Sequence, residues 1–123
     1  MELSMKQIND LITGVHLSAE IAASSPGLRH FVTVAGYMVE DGRKRLLDKY
    51  ISAEKRETTV FLIRDYEVPK EYIENDWEIP DRDIKNEVYI EGIVGIENIQ
   101  KELTERISDL SLLVPHWECA APL

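Results

Sequence analysis

The run Thr58-Thr59-Val60-Phe61-Leu62-Ile63 constrains this chain more than any other stretch. It is too short for a buried helix and has no polar side to turn to water. It therefore predicts a strand near the middle of a sheet. Partner strands must come from elsewhere, and two stretches offer them. Residues 28–39, Leu-Arg-His-Phe-Val-Thr-Val-Ala-Gly-Tyr-Met-Val, hold three β-branched residues at 32–34, which favour a strand. Leu28, Phe31, Val32, Ala35 and Val39 would also fit a helical stripe, and the strand is the preferred reading. Val88–Val94 predicts a further strand, with Gly92 marking a bulge.

The helices are read from period. Met5, Ile8, Leu11, Ile12, Val15, Ala19 and Ala22 or Ala23 recur at three- and four-residue steps, placing one apolar face on a helix that ends at Ser24-Ser25-Pro26-Gly27. Ser4 and Gln7 form a capping box at its start. Gly14 is a mild cost inside it. Ile96, Ile99, Leu103 and Ile107 predict a second helix, with Glu97 and Arg106 matching its dipole. After the turn signal Asp41-Gly42, residues 43–53 fit either a second hairpin strand or a short helix, and Leu46, Leu47, Tyr50 and Ile51 favour the helix. From Asp65 to Ile84 apolar residues are sparse, and Pro69 and Pro80 interrupt regular structure. That stretch reads as a long excursion with one helical turn near Lys70–Glu74. Leu110–Val114 reads as a last short strand, and Ala120-Ala121-Pro122-Leu123 as a fraying tail. The expected fold is one α+β domain over residues 1–123: an antiparallel sheet of about four strands with two or three helices packed on it.

A length of 123 residues suits one domain, and 44% apolar with 30% charged residues is a globular composition. A lone cysteine, Cys119, cannot form an internal disulfide. No basic-then-apolar leader opens the sequence, and no apolar run has membrane-spanning length. These features point to the cytoplasm. The net charge of −9 repels nucleic acid and anionic membranes and attracts basic proteins. A local basic patch, Arg43-Lys44-Arg45 with Lys49, Lys55 and Arg56, lacks any nucleic-acid motif. It is expected to pair with the chain's own acids or face solvent.

Most of the negative charge is concentrated in one place. Residues 65–91 hold ten acids against Lys70, Arg82 and Lys85, a net −7. Tyr66, Tyr72, Trp77 and Tyr89 are interleaved with them. Aromatic side chains supply binding energy at interface centres, while carboxylates steer a cationic partner. Tyr66, Tyr72 and Trp77 are the expected anchors, and Glu74, Asp76, Glu78, Asp81 and Asp83 the charges. Replacing Asp76, Glu78, Asp81 and Asp83 with amides should slow association. No calcium loop fits Asp76–Asp81, which lacks the required glycine and contains Pro80. His116-Trp117-Glu118-Cys119 matches no zinc spacing, and the scattered glycines form no phosphate loop. No metal, cofactor or catalytic residue is therefore assigned.

In size, acidity and absence of catalytic residues the chain resembles the immunity proteins of bacterial toxin systems. That resemblance implies a non-catalytic protein that neutralises a basic toxin, such as a nuclease, by covering its active site. One rival is a small enzyme or ligand-binding domain with a pocket between helix and sheet, using His30, Tyr37, His116 and Cys119. Another is a subunit that pairs with a neighbour through an exposed sheet edge.

Overall fold

The structure, a computed structural model, describes residues 2–40, 42–46 and 59–123. One antiparallel sheet is its frame, built from β1 (Leu17–Ile21), β2 (Leu28–Glu40), β3 (Arg43–Leu46), β4 (Val60–Pro69), β5 (Lys85–Val94) and β6 (Val114–Pro115). The order is β5-β4-β2-β1-β6, and β3 pairs with the far end of β2. Among the described residues three α-helices join it: α1 (Met5–Ile12), α2 (Lys70–Glu74) and α3 (Ile96–Thr104). The fold is α+β with a six-stranded sheet, larger than the four or so strands expected because β1 and β3 fall in stretches whose spacing had favoured helices.

Each difference from the sequence reading has a local cause. The first helix stops at Ile12 and does not reach Ala22 or Ala23, because Gly14 adopts φ +94° and turns the chain. Beyond it, Leu17 and Ala19 are buried on one face of β1 by alternation, so Ala19 had satisfied the strand period as well as the helical one. Arg43–Leu46 takes the hairpin alternative, not the helix, pairing Val39 with Lys44; residues 47–53 lie outside the described residues, as does Thr58. β4 runs on to Pro69, so Asp65–Val68 belong to the sheet and not to the excursion. Leu110–Leu112 form a 3-10 turn rather than a strand, and only Val114–Pro115 pair with β1.

Two cores cover the two faces of the sheet. On the inner face, α1 (Ile8, Leu11, Ile12) and α3 (Ile96, Ile99, Leu103) bury Leu17, Val32, Val34, Phe61 and Ile63. The capping box is formed: Ser4 Oγ accepts the Gln7 N–H at 3.1 Å and Gln7 Oε1 accepts the Ser4 N–H at 2.9 Å. Gln7 Nε2 also donates to the carbonyls of Leu110 and Leu113, tying α1 to the last third of the chain. On the outer face a smaller core surrounds Phe31, Tyr66 and Val68. Ile73, Ile79 and Ile84, and from the end of the sequence Cys119, Ala121 and Leu123, pack against it. The segment expected to fray is thus part of a core.

β5 lies at one end of the sheet and carries two bulges. Residues 86–87 oppose Tyr66 and residues 91–92 oppose Leu62, with Asn86 at φ +51° and Gly92 at φ +80°. Bulges of this kind twist an edge strand away from regular pairing.

Candidate functional site

The connection from β4 to β5, residues 70–84, folds into a cap over the outer core. Pro69 starts α2 with a fixed φ, and the Lys70 N–H donates to the Gly27 carbonyl at 3.0 Å. The helix lasts five residues before Asn75 closes it and Asp76, at φ +52°, turns the chain back. Asp tolerates that left-handed conformation better than most side chains. The Trp77 N–H then donates to the Tyr72 carbonyl at 2.8 Å. A 3-10 turn, Asp81–Asp83, leads into β5. Ile73, Ile79 and Ile84 point inward, leaving the polar residues outside.

Two contacts stiffen the outer side. The Tyr72 hydroxyl donates to Asp83 Oδ2, and the Tyr72 and Trp77 rings meet edge to face, 6.1 Å between centroids at 81°. That hydrogen bond to a carboxylate raises the Tyr72 pKa. Trp77 stays 57% exposed in spite of the contact. Glu71, Glu74, Asp76, Glu78 and Asp81 are exposed and make no ion pair among the described residues, although Glu74 lies close enough to Arg29 to raise the Arg29 pKa.

Seven of the eight residues singled out from sequence lie in this connection, Tyr72, Glu74, Asp76, Trp77, Glu78, Asp81 and Asp83, and Tyr72 touches both Asp83 and Trp77. Tyr66 is not among them, because it lies in β4, fully buried beneath Leu123, where burial pushes its pKa up to about 12. It supports the cap from below and cannot anchor a partner. Four of the ten acids in residues 65–91 are also withdrawn from the surface field. Glu87 pairs with Arg64 at 2.8 Å and Glu91 with Lys44, while Asp65 and Glu67 are buried in polar networks. Lys44 also sits over the Tyr37 and Tyr89 rings, so part of the basic patch is spent within the protein.

The buried networks were not foreseen. Asp65 accepts from His30 Nε2 and from Arg106 at 2.9 Å, joining β2, β4 and the residue pair after α3. Glu67 accepts from the Ser24 amide at 2.7 Å, from the Ser24 hydroxyl and from Asn86 at 2.8 Å. Burial alone would raise the Glu67 pKa, but these donors favour its charged form and hold it below the ordinary value. Near β6, Ser18 Oγ lies 2.8 Å from Thr33 Oγ1 and 2.7 Å from His116 Nδ1. The partners in each network are far apart in sequence, so no local motif announced them.

The pocket reading finds little support in this geometry. His30 and Tyr37 are seven residues apart on β2 and so lie on opposite faces. The Tyr37 hydroxyl accepts the Gly92 N–H at 2.9 Å, His116 is held by Ser18, and Cys119 is half-buried in the outer core. Shallow depressions beside α3 and between α1 and residues 111–118 are lined by none of these four. Among the described residues no group of three or more His, Cys, Asp or Glu side chains is arranged to hold a metal ion, and no helix is long and apolar enough to cross a membrane. Compared with known proteins, the chain matches no family model, no curated protein and no solved structure.

Proposed function

We propose that this chain is a non-catalytic binding protein whose acidic cap docks on a basic protein, in the manner of an immunity protein covering the phosphate-binding cleft of a toxin nuclease. One observation carries the proposal: five exposed carboxylates make no ion pair within the described residues, with only Glu74 in the field of a base, Arg29, and the same short connection carries the exposed, edge-braced Trp77. A cleft that holds phosphates presents fixed cations, and carboxylates spaced along a stiff cap offer those cations similar charge. The indole would supply the desolvated anchor that charge alone lacks. The cap would therefore set the association rate, and Trp77 the lifetime of the complex.

The test is capture from the native host at low salt, with the native chain and a Glu74→Gln/Asp76→Asn/Glu78→Gln/Asp81→Asn variant side by side. Asp83 is left intact because it holds Tyr72. The native chain should retain a basic protein that elutes as salt rises. The variant should bind that same purified protein with an on-rate lower by about tenfold or more. Equal on-rates for the two would sink the proposal.

A further inference from the structure

The residues after β6 are held in two different ways. Up to Glu118 they are pinned to the sheet: Val114 and Pro115 pair with β1, the His116 N–H donates to the His16 carbonyl at 2.9 Å, and His116 Nδ1 reaches Ser18. From Cys119 onward the attachment changes. Cys119, Ala121 and Leu123 are half-buried against the outer core, while Ala120 and Pro122 between them are exposed, as in an extended peptide laid in a groove. The polar contacts this stretch makes with the sheet are long ones. The Leu123 N–H donates to the Tyr66 hydroxyl at 3.2 Å, and that hydroxyl faces the Leu123 carbonyl at 3.5 Å.

The same outer core holds the underside of the cap. Ile73, Ile79 and Ile84 are each only half-buried, so none is sealed by the sheet alone. We propose that residues 119–123 act as a displaceable strap whose docking completes the outer core and so sets whether the acidic cap is held in its binding form. This regulation rests on the binding role proposed for the cap. A docked strap keeps Tyr66 covered, and Tyr66 belongs to the buried cluster on which the three isoleucines also pack. When the strap is released, water reaches all of them and the cap loosens, while the inner core, on the opposite face, is untouched. A partner or modification that captures residues 119–123 would then act on the cap without touching it. Segments with few buried apolar contacts and few backbone hydrogen bonds are the ones expected to open independently.

Hydrogen exchange on the intact protein tests this. In the native chain, amides of residues 119–123 and of the cap, 70–84, should exchange with a common rate, faster than those of β2, β4 and α3. In the full-length Leu123→Ser variant, cap amides should exchange about tenfold faster, with α1, β1 and α3 unchanged. Cap amides as protected as those of β2 in the native chain, or unaffected in the variant, would overturn the strap. So would uniform acceleration throughout the molecule, since that marks a single cooperative unit. Binding of a decalysine probe at low salt is measured separately on the native chain. It reports on the cap's affinity for cations alone, so loss of the cap reading and loss of the strap give different results.

Discussion

Glu67 shows how much a single side chain can hold in place. It is 2% exposed and accepts from Ser24 twice and from Asn86, so it pins the β1–β2 loop to the bulge of β5. Glu67→Ala removes the acceptor and leaves those donors with nothing. A loss of about 2–3 kcal/mol in urea unfolding is expected, the usual cost of hydrogen bonds to a buried charge. A loss below about 0.5 kcal/mol would mean water replaces the carboxylate freely. His16 gives the pH dependence. Burial, and then the neighbouring His116, lower its pKa from 6.5. As pH falls below that value the unfolded chain takes up the proton first, so stability decreases with pH until the folded-state pKa is passed. Urea midpoints at about pH 7.5 and about pH 5.5 should therefore differ, and differ less in His16→Gln. The placement of the candidate residues was legible to the extent that it is local. Trp77 and the acids of 74–81 are neighbours in sequence and remain neighbours in space. Tyr66 was misplaced because it sits between two acids, Asp65 and Glu67. In a strand covered on both faces, acid–aromatic alternation does not reveal which side meets solvent.

At the level of elements, Gly92 in β5 is the position where sequence and structure agree most closely. A glycine inside an apolar strand run marked a bulge, and the backbone there adopts φ +80°. A Cβ at that position would meet nothing within 4 Å, so any cost of substitution is conformational and not steric. Gly92→Ala should cost about 1–2 kcal/mol, read as a lower thermal midpoint with an unchanged fold. A neutral outcome would show that β5 relaxes its bulge. In that case the strand becomes a more regular edge, and light scattering should then reveal self-association. Strong local signals of this kind, including the Ser4–Gln7 box and the apolar stripe of α3, carried most of the elements. What failed were elements whose identity depends on remote partners. β1 is a strand because β2 and β6 flank it, although Val15, Ala19 and Ala22 fit a helix. β3 is a strand because the chain turns back against β2 at Gly42, which adopts φ +74°. β4 outlasts its apolar run because Asp65 and Glu67 find buried donors from Arg106, His30, Ser24 and Asn86, none of them close in sequence.

Across the whole molecule, the two faces of the sheet carry different loads. The inner face holds both longer helices and most of the buried apolar side chains among the described residues, so it can sustain the fold. The outer face holds a small core and, above it, an excess of charge: in residues 70–84 six acids outnumber two bases, a net −4 of the chain's −9. Such a concentration works against the folded state. The cap holds its carboxylates close together, where an unfolded chain would let them separate. Among the described residues only Glu74 has a base, Arg29, close enough to offset its charge, so most of the repulsion persists for as long as the protein is alone. The Glu74→Gln/Asp76→Asn/Glu78→Gln/Asp81→Asn variant should therefore be slightly more stable than the native chain. A thermal midpoint higher by about 1–3 °C is expected at low salt. The difference should shrink near 0.1 M salt, where screening acts within about 10 Å. A solubilising loop that binds nothing would gain the same stability, so the midpoint alone does not identify a binding surface. The opposite signs do: higher stability together with slower association means that charge unfavourable to the free protein is useful in the complex. If neutralisation lowers the midpoint instead, the carboxylates are engaged within the fold, and the cap is a structural element rather than a surface held ready for a partner.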